Sequence, residues 1–402
     1  MPTHVRSHAK INLGLAIGPA RADGFHALAT IYQTLAIYDR VTVSARQAAP
    51  GGMGSLHMSC NDERVPCDAR NTAWRMVDLA LEAMDVQADV TVHIQKHLPV
   101  QGGLGAGSAN AAAALIGLER ELGRELPQAL RLQLAAKVGS DVPLFLVGGT
   151  VLGSGRGERV TPLPDLPVLP CVLALPPVGV STPQAFRDWD TRLLQAQQQA
   201  AMEDAANSAL TNLHAADRLE VLSRSWVEAL ASARNDAAAA SGVFFKEDRA
   251  EEALLRLVRA GIANDFETVV FAQYPSLHGI LQMMRIFPKG TGALYAALSG
   301  SGSALFGLYA TTAEAEAVAK RLRDGGTPAL CTETLGREAY WGEMLDLPVV
   351  VEQSGAVELA AEMDSGADVD VAVDAEAAAQ AEVAARNASK RAGGPGDGKS
   401  AG

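Results

Sequence analysis

Four cysteines are all that the 402 residues contain, at positions 60, 67, 171 and 331. No pair is spaced C-x-x-C and no zinc spacing is present, which excludes a disulfide scaffold and predicts ordinary reduced thiols. Positive charge is scarce as well. The chain has 34 Lys and Arg against 46 Asp and Glu, a formal net charge of −12. Nucleic-acid footprints and anionic-membrane anchors both need clustered cations, so neither class is expected. Long apolar runs are missing too. Residues 1–6 (Met-Pro-Thr-His-Val-Arg) hold no apolar signal core. The most apolar stretch, 163–180, is broken by prolines at 164, 167, 170, 176 and 177, so it makes no membrane helix. No internal repeat is present. A soluble, cytoplasmic, globular protein is left. With 48% hydrophobic residues it is long enough for two domains around a sizeable core.

The last fifty or so residues read differently from the rest. Positions 351–402 carry ten acidic and four basic residues, no aromatic residue and few large aliphatics. Such text buries too little surface to offset its ordering entropy, so a disordered tail is expected. Before it, the chain reads as mixed α/β. Strands are expected at 11–17, 41–44, 90–96, 144–152 and 168–175. Helices are expected at 110–122 and 126–138, and the long Ala/Gln/Leu-rich run 183–260 has helical spacing. Strand text returns at 298–309 around a Ser/Gly turn. The proline-rich stretch near 163–177 suggests a domain boundary there.

The most informative segment is Pro99-Val100-Gln101-Gly102-Gly103-Leu104-Gly105-Ala106-Gly107-Ser108-Ala109, set between a strand and a helix. Glycines allow positive φ and close backbone approach, and a helix N-terminus offers unpaired N–H groups to an anion. That combination suits phosphate, although a flexible turn without a ligand explains the same glycines. No Gly-Lys-Ser/Thr follows, so it is not a Walker A loop. A dinucleotide fingerprint begun at Gly103 would need glycine where Ser108 stands.

Pro-x-x-x-Gly-Leu-Gly followed by small residues resembles the phosphate loop of the GHMP kinases. Four further segments resemble the same family in order and spacing: His8-Ala9-Lys10-Ile11-Asn12-Leu13, Arg21-Ala22-Asp23-Gly24-Phe25-His26, Gly139-Ser140-Asp141-Val142-Pro143-Leu144-Phe145, and Leu298-Ser299-Gly300-Ser301-Gly302-Ser303-Ala304. The resemblance runs over roughly residues 5–345. It is strongest to the branch whose acceptor is cytidyl-diphospho-methylerythritol, phosphorylated on its 2-hydroxyl in the non-mevalonate isoprenoid route. The resemblance implies a two-domain α/β (α+β) fold with the active site in the cleft between domains. Domain 1–162 would bind ATP, domain 163–350 would complete the site, and 351–402 would be the tail.

By that resemblance Asp141 accepts the hydroxyl proton and Lys10 is its partner. Phosphoryl transfer has a loose transition state, so positioning and charge matter more than strong basicity. From the residues alone, Asp141 before Val142-Pro143 also suits a helix N-cap, and Lys10 a solvated strand position. Residues 99–109 would hold ATP carrying Mg²⁺, with no protein metal site. Gln101, Ala106 and Ala109 stand where the family usually has Gly, Gly and Ser, which leaves Ser108 to supply a hydroxyl. Asn12, two residues along the strand from Lys10, would hold acceptor hydroxyl or phosphate. Phe25, where the family usually has tyrosine, would stack on cytosine and His26 would read its edge. Thr182 and Phe186 would close over the same base. Ser301 and Gly302 would line the acceptor phosphate side through backbone N–H groups, or simply form a tight turn. His93 and His97 are i, i+4 but on strand text, which keeps them apart and makes no metal pair. Residues 153–157 read as a hairpin turn, and 264–267 as a helix start. Small-molecule substrates are expected as partners, with no nucleic acid and no membrane. A homoserine or mevalonate type of GHMP kinase, and a GHMP-fold binding protein without catalysis, remain as alternatives.

Overall fold

The computed structural model describes residues 1–100, 102–204, 215–239, 246–286 and 292–345. The expected tail at 351–402 lies outside the described residues, as does Gln101. Two strands dominate the first half. β1 (Thr3–Ala20) and β2 (His26–Gln47) form a long antiparallel hairpin, with register shifts between His8 and Lys10 and between Asn12 and Gly14. After them come β3 (Ser55–Cys60), α1 (Thr72–Met84), β4 (Ala88–Gln95), α2 (Ala106–Leu122), α3 (Gln128–Val138), the single turn α4 (Val142–Phe145), β5 (Thr150–Ser154) and β6 (Arg159–Pro162). The first sheet runs β3-β4-β2-β5-β6, with β1 paired to β2.

The helices of this half cover one face of that sheet. Ala111 to Ala114 point all round α2 and are all buried, so the helix is enclosed here by its neighbours. Gly117 takes the helix close to β2, where a side chain would press on Val43. Small residues thus set the spacing between layers, while Met76, Val92, Ile94, Leu115 and Leu118 fill it. Each such large side chain contributes about 1.5–3 kcal/mol on full burial.

The second half holds β7 (Pro170–Ala174), α5 (Thr182–Asp204), α6 (Ala215–Ala239), α7 (Lys246–Arg259), α8 (Glu267–Gln273), α9 (Pro275–Arg285), β8 (Tyr295–Leu298), β9 (Leu305–Leu308), α10 (Thr312–Asp324), β10 (Ala329–Glu333) and α11 (Arg337–Glu343). Its antiparallel sheet runs β10-β7-β9-β8. α10 starts on a reciprocal cap in which the Thr311 hydroxyl accepts from the Glu314 N–H and Glu314 accepts from the Thr311 N–H. The division expected at 162/163 falls between β6 and β7. The chain does not stay in the second half to its end, however. Leu335, Tyr340 and Met344 belong to the apolar core of the first. Tyr340 donates to the Phe145 carbonyl at 2.7 Å, and the Arg6 N–H donates to the Met344 carbonyl at 2.8 Å.

Two local expectations need correction. The segment 144–152 is not one strand. Val142–Phe145 is helical because Pro143 sits in its first turn. Gly148 and Gly149, with φ of 71° and 72°, then turn the chain before β5 begins at Thr150. The helix expected from 110 starts four residues earlier, so Ala106 to Ala109 form its first turn rather than part of the loop. The run 183–260 is divided into α5, α6 and α7, with 205–214 and 240–245 outside the described residues.

Candidate active site

The hairpin of β1 and β2 carries the polar centre of the molecule. Lys10 is 97% buried, and its Nζ lies 3.1 Å from Asp141 Oδ2 and 2.8 Å from Asn12 Oδ1. Asn12 in turn donates from Nδ2 to Thr30 Oγ1 at 2.8 Å, and Thr30 donates to the Gly14 carbonyl at 2.7 Å. Across the hairpin Tyr32 pairs with Asn12 in register. Its hydroxyl donates to Asp141 Oδ1 at 2.9 Å. Each oxygen of Asp141 therefore meets one donor, and two of the three Lys10 donors are engaged. Asp141 keeps about a quarter of its side chain exposed, 26%, so its edge is open to an incoming hydroxyl.

The helix-cap explanation of Asp141 does not hold. It precedes α4, yet its side chain makes no cap hydrogen bond and points its oxygens to Lys10 and Tyr32 instead. Nor is Lys10 a solvated strand residue. Nine-tenths burial of an ammonium is tolerated only when charge and hydrogen bonds compensate it, which Asp141 and Asn12 do here.

The glycine loop lies directly over this centre. The Lys10 N–H donates to the Leu104 carbonyl at 3.0 Å. Gly105, with φ of 69°, is the N-cap of α2, and a Cβ there would sit 3.0 Å from two carbons of the Lys10 side chain. No side chain caps α2 and no acidic residue lies in its first turn. The N–H groups of Ala106, Gly107 and Ser108 are thus left for an anion, while the Ala109 N–H donates to the Gly105 carbonyl at 2.9 Å. Thr72 donates to the Gly107 carbonyl at 2.7 Å and steadies the turn from α1.

A second glycine turn meets the first. Gly103, at φ 80°, is so close to the Ser299 carbonyl that any Cβ would overlap it, and Ser299 Oγ donates back to the Gly103 carbonyl at 2.9 Å. The Ala304 N–H donates to the Gly102 carbonyl at 3.1 Å. Asn264, buried ahead of α8, clamps the same turn from behind. Its Nδ2 donates to the Leu298 and Gly300 carbonyls at 2.8 and 2.7 Å, while its Oδ1 accepts from the Phe266 N–H. So the 264–267 segment does lead into a helix, α8, whose N-cap Phe266 has no side-chain cap, and Asn264 fixes the β8–β9 turn besides. Gly302 departs from expectation. Its N–H closes the turn onto the Ser299 carbonyl at 2.9 Å, which is the tight-turn alternative rather than a donor aimed at a ligand. Ser301 instead meets Thr182, hydroxyl to hydroxyl, at 2.6 Å.

The aromatic residues gather at the far end of the hairpin, but not as two free faces. His26 and Phe186 stack on each other with centroids 4.7 Å apart and planes 14° apart. His26 Nε2 is 2.7 Å from Asp190 Oδ1, and Phe186 rests edge-on against Phe266. Phe25 lies apart from both, under the Arg156 guanidinium at 4.8 Å.

Comparison with known proteins decides the family. The GHMP kinases N terminal domain model matches residues 71–149, and the GHMP kinases C terminal model matches 245–327. The 4-diphosphocytidyl-2-C-methyl-D-erythritol kinase of Thermobifida fusca is 33% identical over 335 residues, covering 82% of this chain and 94% of that protein. The chain belongs to the 4-diphosphocytidyl-2-C-methyl-D-erythritol kinase family of GHMP kinases. The Caldicellulosiruptor saccharolyticus kinase of the same name is 31% identical across 84% of this chain and 99% of its own length. A crystal structure of 4-(cytidine 5'-diphospho)-2C-methyl-D-erythritol kinase superposes with a TM-score of 0.57 at 27% identity, over 83% of this chain and 99% of that one. A homoserine kinase from Cytophaga hutchinsonii shares the fold, with a TM-score of 0.56 at 18% identity over 83% and 96% of the two chains.

As a kinase of this family the chain uses ATP, and its glycine loop fits such a ligand by positive φ, close packing and an uncapped helix start. Among the described residues no helix is long and apolar enough to cross a membrane. Five residues of the site escaped the sequence reading or were left without a role: Thr30, Tyr32, Arg156, Asp190 and Asn264. The first two sit at alternate positions of β2, on the face that Asn12 and Lys10 meet. Only the pairing of the hairpin shows it.

Proposed function

We propose that the chain transfers the γ-phosphoryl group of ATP to the 2-hydroxyl of 4-diphosphocytidyl-2-C-methyl-D-erythritol, in the non-mevalonate route to isoprenoid precursors in the cytoplasm. The observation that carries this reading is the buried Lys10–Asp141 pair held against the glycine loop. The acceptor oxygen forms a bond to the γ-phosphorus as the bond to the ADP oxygen breaks, and the hydroxyl proton passes to Asp141. Lys10 balances charge beside the reacting oxygen and orients Asn12 toward the acceptor. Tyr32 and Lys10 together fix the plane of the Asp141 carboxylate, by contacts of 2.9 Å to Oδ1 and 3.1 Å to Oδ2.

Pro99 to Ala109 cradle the polyphosphate, with the first turn of α2 supplying N–H donors. An Mg²⁺ ion carried in with the nucleotide would neutralise phosphate charge, and the Ser108 hydroxyl is the oxygen of the glycine loop that would help to hold it. Phe25, His26 and Phe186 take the cytosine, and Thr182 with Ser301 closes the acceptor side. In this reading Phe186 moves off His26 to admit the base, since the two rings now occupy each other's faces. Residues 1–162 act as the nucleotide-binding domain and 163–350 as the domain that completes the cleft.

Release of ADP from Mg-ATP is the test, against 4-diphosphocytidyl-methylerythritol, homoserine, mevalonate and galactose. Turnover confined to the cytidyl acceptor is expected. Turnover on another acceptor would retain the Lys10/Asp141 chemistry and discard the cytidine reading. No turnover on any of them, in folded protein, would favour a binding protein.

A further inference from the structure

The β5–β6 turn places a cation between the two ends of the site. Leu28, near the start of β2, donates its N–H to the Gly155 carbonyl at 2.7 Å, which ties the turn to the strand that follows Phe25 and His26. Gly157 presses the same turn against Tyr32, where a Cβ would come within 2.6 Å of the phenolic oxygen and 3.9 Å of Ser140 Cβ. Between these two glycines stands Arg156. Its guanidinium covers the Phe25 ring at 4.8 Å, and its Nη2 donates to the Ala136 carbonyl at 2.7 Å, in the last turn of α3, five residues before Asp141.

Two features make this arginine more than a strut. Its charge is paired with no carboxylate among the described residues. The neighbouring Glu158 accepts from the Arg156 backbone N–H instead. And a guanidinium has five donors, of which the Ala136 carbonyl takes one. The cation therefore retains donors and charge at a point reached from both the Phe25–His26 segment and the Tyr32–Asp141 pair. An acceptor whose base is read at one and whose hydroxyl reacts at the other must lay its linking diphosphate between them. Arginine binds such groups through paired N–H donors in a way that no other side chain does.

We propose that Arg156 holds the diphosphate of the acceptor, and so selects a nucleoside diphosphate ester over a neutral nucleoside; this rests on the cytidyl reading of the site given above. Phe25 orients the guanidinium by stacking, and the Ala136 carbonyl fixes its far edge. The residue thus sets the distance between base and reacting hydroxyl as well as supplying charge.

The test is calorimetric binding of CDP and of cytidine to the full chain, with the ATP site filled by a non-hydrolysable ATP analogue. Wild-type protein, Arg156→Gln and Arg156→Lys are compared. Glutamine keeps a planar amide, two bonds shorter than the guanidinium, and removes the charge. The wild type is expected to prefer CDP. Arg156→Gln should weaken CDP on the order of ten- to a hundredfold, the scale of a charged hydrogen-bonding contact, while cytidine changes less than about twofold. Arg156→Lys should recover part of the loss, and it carries the comparison if the glutamine variant does not fold. Equal weakening of both ligands would mean that Arg156 only supports Phe25, and would overturn the proposal. Unchanged CDP binding would overturn it too, as would a wild type that binds cytidine as well as CDP. A wild type that binds neither ligand would instead defeat the cytidyl reading, and the proposal with it.

Discussion

Tyr32 and Lys10 hold the two oxygens of one carboxylate, the phenol at 2.9 Å from Asp141 Oδ1 and the ammonium at 3.1 Å from Oδ2. Both come from the β1–β2 hairpin, whereas Asp141 comes from the turn ahead of α4. The geometry of the carboxylate is therefore set by a strand pairing some hundred residues away in the chain. A slip of the hairpin by one residue would turn Lys10 and Asn12 to the opposite face and empty the site.

Replacing Asp141 by asparagine keeps the shape and removes the proton acceptor. We expect kcat to fall on the order of 10²–10⁴-fold, with ATP affinity unchanged within about twofold. Steady-state kinetics and nucleotide titration on the same preparation check this. Substantial turnover by the variant would remove Asp141 from the role of base.

Tyr32→Phe deletes one hydrogen bond to a charged group, a contact worth about 1.5–3 kcal/mol in general. A roughly tenfold fall in kcat is expected, with KM for ATP unaltered, because the lost bond is to the carboxylate that takes the hydroxyl proton. If KM for ATP moved instead of kcat, the phenol would belong to the nucleotide side.

Gly103→Ala sets a Cβ into the Ser299 carbonyl at a φ of 80°. The left-handed conformation alone costs about 1–2 kcal/mol for a residue with a Cβ. The overlap then forces the two glycine turns apart. Loss of ATP binding and a lower melting temperature are expected together. Gly51→Ala is the control: φ is also positive at 77°, but nothing lies within 4 Å of the added carbon, so only the melting temperature should respond.

Burial pushes the Glu267 carboxyl above its ordinary range, although it accepts the Leu298 N–H at 2.9 Å. The folded pKa then exceeds the unfolded one. The unfolded chain ionises first as pH rises, and the wild type loses stability between the ordinary carboxylate value and the raised one. Glu267→Gln keeps an oxygen for Leu298 and abolishes that titration. Its melting temperature relative to wild type should therefore rise as pH goes from about 4 to about 7. Thermal melts across that range decide it, and a constant difference would mean the carboxyl titrates normally.

Much of the site was readable because its chemistry needs residue types that are rare in strand and turn text. A lysine and an asparagine two apart in an apolar strand, four glycines ahead of an alanine-rich helix, and an aspartate before Val142-Pro143 all stand out. Tyr32 does not. In β2 it is one more aromatic in an alternating strand, and its role follows only from lying opposite Asn12. The run 144–152 differs from its sequence pattern for a similar reason. Its aliphatic residues suit a strand, and the turn at Gly148–Gly149 takes its value from Tyr340, which packs where any Cβ on Gly148 would go. The stacked His26 and Phe186 show the same limit. Each was expected at the base site, but their mutual contact depends on how α5 sits over the hairpin.

The return of the chain to its first layer bears on how the protein is made. Leu335, Tyr340 and Met344 complete a core otherwise built from the first 151 residues, and Leu345 bridges to Val5 on the outer edge of β1. During synthesis that edge stays unpaired until nearly the whole fold has left the ribosome. The nascent N-terminal half must wait for its last apolar partners, exposing Val5 and its neighbours to chaperones, and a stalled or truncated product ending before residue 335 would leave the same wound open.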